Sequence, residues 1–306
     1  MPAFRHLSVI YPFPSFIFHS IFQFLYLSLL QREKRNSKIH YPQMFTAWPG
    51  IKKELKNFII YKLRMKIILF IYQWFIAAPI LLILTLLTAI TTIIGCTLGK
   101  GDFWGYYPAQ LWSRLFCILS FVRIEVRGRE NINSKTSYVF VANHQGAYDI
   151  FLIYGYLNHN FKWMMKKSLR NIPFVGKACE AAGHIMVDNS SPHKLKETME
   201  KAENTLKDGM SLVVFPEGAR TLDGHIHRFK KGAYQLAVEF NLPVVPLTID
   251  GAYYIMKRGT YTVKPGKIVL TIHKPIYPQE HEGHNLNELM ETSYKAIVSA
   301  LPEKNR

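Results

Sequence analysis

Cysteine is scarce in this chain: three residues in 306, Cys96, Cys117 and Cys179, with no C-x-x-C pair and one left over from any pairing. That argues against a disulfide framework and for a reducing compartment. The twelve histidines are scattered, and His225-Ile226-His227 lacks a third ligand at suitable spacing, so no metal site is expected. Internal repeats and low-complexity stretches are absent, and the length suits one substantial domain plus an appendage.

Charge is missing where it matters most. From Ile67 to Gly99 the chain carries no charged side chain over thirty-three residues rich in Ile and Leu, whereas about twenty apolar residues cross a bilayer. A buried core helix of that length would keep a polar face, so the segment reads as a membrane anchor. Pro79 allows either one long tilted span or two shorter helices entering and leaving by the same face. A second uncharged stretch, Leu7 to Gln31, holds Pro12 and Pro14 near its start and no small-x-small cleavage site, so it reads as an uncleaved signal-anchor at most. Translation starting at Met44 or Met65 would make that stretch irrelevant.

Acidic residues are outnumbered, 21 against 38 Lys and Arg, for a net charge of +17. Such an excess alone suggests nucleic acid, but neither zinc-finger spacing nor a ribonucleoprotein-type aromatic strand accompanies it. Ten Lys or Arg against two Glu fall within residues 1 to 64. Beside an anchor, an anionic membrane surface is the simpler partner. The basic run from Arg32 to Lys66 should stay in the cytoplasm.

Chemistry is concentrated in two places. The apolar run Tyr138 to Ala142 leads into Asn143-His144-Gln145-Gly146-Ala147-Tyr148-Asp149 and a second apolar run that looks helical. With Gly146 letting the backbone bend back, the Asp149 carboxylate can fix the tautomer of His144 and leave its other nitrogen free as a general base. By itself the pair also fits an Asp cap beside a half-buried His. About seventy residues on, Leu212 to Phe215 forms another apolar strand and breaks into Pro216-Glu217-Gly218-Ala219-Arg220-Thr221. Here Arg220 offers a planar fork of donors suited to phosphate, which Glu217 can orient.

Together the two elements strongly resemble the glycerolipid acyltransferase family, of the 1-acyl-sn-glycerol-3-phosphate acyltransferase type. Lys166 to Gly176 is similar to its second region and Leu242 to Leu247 to its fourth, so the likeness runs from about Val122 to Ile276. Asn189 stands where many members carry Arg, and Ala219 where Thr is commoner.

The resemblance implies an enzyme in which His144 and Asp149 are catalytic. It gives Glu217, Gly218, Arg220, Lys167, Asn143 and Thr221 as substrate-binding, with Pro173, Phe174 and Gly176 lining an acyl or acceptor channel. Lys167 fits a solvated flank equally well, and the channel residues fit plain packing. The implied reaction carries an acyl group from acyl-CoA or acyl-carrier protein to the sn-2 hydroxyl of 1-acylglycerol-3-phosphate, with no cofactor. No nucleophile elbow occurs, which favours direct transfer. A lyso-ornithine or other lysophospholipid acceptor stays open, given Asn189, as does a catalytically silent lipid-binding anchor protein. Acyl donors are cytoplasmic, so the expected location is the cytoplasmic face of the inner membrane, on a hairpin or monotopic anchor.

The expected fold is α/β, a mixed β-sheet flanked by helices behind an N-terminal anchoring segment. Strands are predicted at Val139–Ala142, Ile185–Val187, Ser211–Phe215, Val244–Ile249 and Lys267–Ile272. Helices are predicted near Ile150–Leu157, Leu195–Leu206, Lys231–Phe240 and Leu286–Leu301, the second closed by Gly209. The expected divisions are 1–64, a basic extension; 65–124, the anchor; and 125–306, the catalytic domain.

Overall fold

The structure, a computed structural model, describes residues 49–280 and 285–306. The expected signal-anchor at Leu7–Gln31 lies outside the described residues. The chain divides into two compact units, Met1–Met65 and Lys66–Arg306. Helix α1 (Pro49–Tyr72) is the described part of the first and carries over into the second.

A π-helical turn, Gln73–Ala77, joins α1 to α2 (Ala78–Thr97), and the helix does not break at Pro79. Proline has no N–H to donate and its ring crowds the preceding turn, and the wider turn just upstream absorbs that misfit. The two-helix alternative at Pro79 is therefore not formed. Asn57–Thr97 is one continuous helix, long and apolar enough by length and composition to cross a membrane. Its outer face is bare, with Trp74, Phe75, Leu82, Leu87 and Ile94 all exposed.

After Gly99 the chain turns through α3 (Gly101–Trp104) into α4 (Tyr107–Leu119), which packs back against α2. Trp112 Nε1 donates to Thr85 Oγ1 at 2.9 Å, and Tyr72 donates its hydroxyl hydrogen to the Leu119 carbonyl at 3.0 Å. The anchor thus belongs to the same compact unit as the sheet. The expected division between 124 and 125 falls inside a strand.

That sheet has seven strands: β1 (Val122–Arg127), β2 (Val139–Ala142), β3 (Phe161–Lys166), β4 (Ile185–Val187), β5 (Ser211–Val214), β6 (Val244–Asp250) and β7 (Gly266–Ile272). Their order is β1-β7-β6-β2-β5-β3-β4, and only the β6–β7 pairing is antiparallel. The central strands are covered on both faces, which is why β2 and β5 read as unbroken apolar runs. Alternation along β2 divides the core. Phe140 and Ala142 face a layer with Tyr148, Leu152 and Ile153 of α5 (Tyr148–Tyr156). Val139 and Val141 face the other layer. There they join Ala202 and Leu206 of α7 (Pro192–Lys207), Leu236 of α8 (Gly232–Glu239) and Ile297 of α10 (Leu286–Ser299). Helices α6 (Val175–Ala181) and α9 (Ala252–Ile255) complete the set.

The mixed α/β sheet is as expected, and the predicted strands and helices stand within a few residues of their positions. Two strands were not predicted. β1 alternates Val, Ile and Val with Arg, Glu and Arg, the pattern of an edge strand hidden at the end of the anchor segment. β3 carries Lys162 and Lys166, which interrupt an otherwise apolar run.

Candidate active site

Parallel pairing brings the two motifs together. β2 and β5 are neighbours with Val141 opposite Val214, so three residues beyond that pair His144 comes level with Glu217. This is where parallel sheets hold ligands, at the carboxyl ends of adjacent strands. The His144 backbone N–H donates to Glu217 Oε1 at 2.7 Å, and the Thr221 N–H donates to the His144 carbonyl at 2.9 Å.

His144 Nδ1 lies 2.7 Å from Asp149 Oδ2, with the histidine side chain 14% exposed and the aspartate fully buried. Asp149 sits in the first turn of α5 and reaches back to accept the Gly146 N–H at 2.9 Å. That fixes the turn between imidazole and carboxylate, as a residue in a helix's first turn commonly does. A carboxylate acceptor requires the hydrogen on Nδ1, leaving the Nε2 lone pair available. No hydrogen bond engages Nε2 among the described residues. The imidazole is clamped from the side by Phe215, stacked at 3.9 Å with planes 10° apart, and Phe215 stacks in turn on Trp163 at 5.4 Å.

The chain bends at Gly146 as expected, and close packing adds a second reason for glycine there. A methyl group there would meet the Ala252 carbonyl oxygen at 2.6 Å, so glycine lets the turn lie against α9.

Glu217 is held between two strands of backbone. Oε1 takes the His144 N–H and Oε2 takes the His227 N–H at 3.0 Å. Burial pushes its carboxyl up to about 7, against the pull of those two donors, with Asp149 and Asp223 adding to the rise. With each oxygen accepting a backbone N–H, Glu217 braces the turn against both the His144 and the His227 backbone. Gly218 follows in the left-handed region at φ +76°.

Arg220 is half-buried, and its guanidinium makes no hydrogen bond or ion pair among the described residues; Arg258 Nη1 donates to its carbonyl at 3.2 Å.

The other expected substrate-binding and channel residues are placed by what they touch. Asn143 is fully buried, its amide donating to the Ile249 carbonyl at 2.9 Å and accepting the Ile249 N–H at 2.8 Å, so it extends the β2–β6 ladder and is closed to substrate. Thr221 is buried and its hydroxyl closes a local turn, donating to Asp223 at 2.7 Å and accepting the Gly224 N–H at 3.0 Å. Lys167 stands in the turn after β3, half-exposed and paired with Asp188 at 2.7 Å. Pro173 and Phe174 lie exposed ahead of α6, while Gly176 is buried, and a methyl on it would meet the Arg170 carbonyl oxygen at 1.9 Å.

Three residues of this region were not singled out from sequence. Trp163 backs the Phe215 stack from the unpredicted β3. Gln145 buries a whole amide beside His144 with neither end hydrogen-bonded. Lys230 lies across Gly218, and one member of a lysine pair gives no signal in sequence.

Known proteins resemble this chain in sequence and fold. The acyltransferase family profile matches residues 123–250, from β1 to the end of β6. A 1-acyl-sn-glycerol-3-phosphate acyltransferase of Pseudomonas aeruginosa is 32% identical over 202 residues, 64% of this chain and 77% of that protein. The chloroplastic Brassica napus enzyme BAT2, of the same name, is 33% identical over 56% of this chain and 50% of its own length. A Chlamydomonas reinhardtii relative is 31% identical over 60% and 54%. The chain thus spans about half the length of these algal and chloroplastic relatives. Among solved structures, the 1-acyl-sn-glycerophosphate acyltransferase PlsC of Thermotoga maritima matches with a TM-score of 0.63 and 26% identity, covering 78% of this chain and 96% of that one. By the extent and identity of the Pseudomonas match, the chain belongs to the acyltransferase family of the 1-acyl-sn-glycerol-3-phosphate acyltransferases.

Proposed function

We propose that this protein is a membrane-associated enzyme that transfers a fatty acyl group from acyl-CoA or acyl-carrier protein to the sn-2 hydroxyl of 1-acylglycerol-3-phosphate, giving phosphatidate. The observation that carries this reading is the 2.7 Å contact between His144 Nδ1 and the buried Asp149 carboxylate, at the mouth of two adjacent parallel strands. The activity named for the Pseudomonas and Brassica relatives supports the acceptor.

In this mechanism Asp149 holds the Nδ1–H, and Nε2 removes the hydroxyl proton as the glycerol oxygen attacks the thioester carbonyl. Collapse of the tetrahedral intermediate breaks the C–S bond, and the departing thiolate takes the proton back from Nε2. Such a base contributes about 10²–10⁴ in rate; the remainder comes from holding two amphiphiles in reacting geometry. Arg220 receives the acceptor's phosphate.

The anchor supports a monotopic arrangement at the cytoplasmic face. At 1.5 Å per residue the 41-residue helix Asn57–Thr97 is about 60 Å long, roughly twice a hydrocarbon core. From Tyr72 onward it is tied to the catalytic unit. Gln73 donates to the Val263 carbonyl at 2.5 Å, beside Lys264, and α2 packs on α4 and α6. A helix fastened along the domain presents its bare side to one leaflet.

The test is product analysis with purified protein, pairing acyl-CoA or acyl-carrier protein with lysophosphatidate, lysophosphatidylcholine and a lyso-ornithine lipid. Phosphatidate formed from lysophosphatidate is the expected result. Turnover confined to another acceptor replaces the substrate, and no turnover with any pair favours a silent lipid-binding protein.

A further inference from the structure

Building on the proposed acceptor, we propose that Lys230 reads the acceptor's phosphate together with Arg220, and that Lys167 does not. The stretch from His227 to Lys230 is laced to the turn after β5 at two points. The His227 N–H donates to Glu217 Oε2 at 3.0 Å, and the Lys230 N–H donates to the Pro216 carbonyl at 2.9 Å. This lays the lysine side chain across Gly218: a methyl group at 218 would lie 2.6 Å from Nζ and 3.2 Å from Cε. Glycine at this position therefore does two things, adopting a left-handed φ and leaving room for an ammonium.

That ammonium has no carboxylate within ion-pairing distance among the described residues. Glu217, in the turn itself, accepts a backbone N–H on each oxygen. Arg220, two residues past Gly218, is equally uncompensated. The turn and the stretch laced to it thus each carry a cation without a carboxylate partner among the described residues, a pair that a dianion can engage. A phosphate monoester is such a dianion, suited to a planar fork on one side and a point charge on the other. Lys167, by contrast, is neutralised by Asp188 at 2.7 Å.

The experiment compares initial rates of the detergent-solubilised full chain and its K230M, K230R and K167M variants on lysophosphatidate and on monoacylglycerol, which lacks the phosphate. K230M should raise KM for lysophosphatidate about 10- to 100-fold, the loss of one charge-assisted contact, with kcat and the monoacylglycerol KM held. K230R should recover most of the loss, and K167M should stay near wild type. Inorganic phosphate should compete with lysophosphatidate in wild type and far less in K230M, a readout that needs no control acceptor. A wild-type KM in K230M, or an equal rise on both acceptors, overturns the role of Lys230 and leaves the enzyme's reaction standing. Wild-type protein inactive on lysophosphatidate overturns the acceptor and the role together. Should K230M melt early, K230Q and the phosphate competition of K230R decide by the same criteria.

Discussion

At the scale of single residues, His144, Asp149 and Glu217 are linked by hydrogen bonds into one network. Asp149 orients the imidazole ring, and Glu217 fixes the backbone beneath it. Changing Asp149 to Asn keeps an acceptor for Nδ1–H but removes the charge that stabilises the protonated ring. Turnover should fall about 10²–10⁴-fold with KM little changed, measured by initial rates at saturating donor. Glu217 makes a separate, pH-dependent prediction. Its carboxyl stands near 4.5 when the chain is unfolded and about 7 when folded, so the folded state binds the extra proton between those values. Its share of stability is complete below about pH 4.5 and lost as pH rises through 7. Urea midpoints across that window should decline more steeply for wild type than for E217Q; parallel slopes would refute the assignment.

Elements explain why these residues meet. Two apolar runs seventy residues apart become neighbours because β2 and β5 pair in parallel, and the register sets His144 level with Glu217. Their apolar runs, the glycine after α7 and the helical periods were legible in the sequence, since each is a local pattern. Register was not, because it depends on which strands become neighbours. Asn143 and Thr221 show the cost: both sit inside the motifs and look free in sequence, yet pairing with β6 and a local turn consume their polar atoms. β1 was hidden by the anchor pattern and β3 by its lysines. Close approach between elements is equally invisible beforehand, and Gly146 tests it. G146A drives a methyl into the Ala252 carbonyl and should lower both the thermal midpoint and turnover. An unperturbed G146A would mean that α9 yields without strain.

For the whole molecule, the bare apolar helix from Lys66 onward shares one compact unit with the sheet. Three changes on the exposed face, Trp74, Phe75 and Leu82 to Ser, remove apolar surface without touching the hydrogen bonds of Tyr72 or Gln73. The variant should shift towards the soluble fraction on flotation with vesicles while keeping its circular dichroism. Unchanged flotation would place membrane binding elsewhere on the chain. The central claim concerns chemistry more than attachment. The most direct measurement is acyl transfer from labelled acyl-CoA to lysophosphatidate by wild type and by His144→Ala at equal membrane loading. Wild-type turnover that falls by at least about 10²-fold in the variant, with membrane association intact, is the predicted result. Equal turnover in the two proteins would contradict the account.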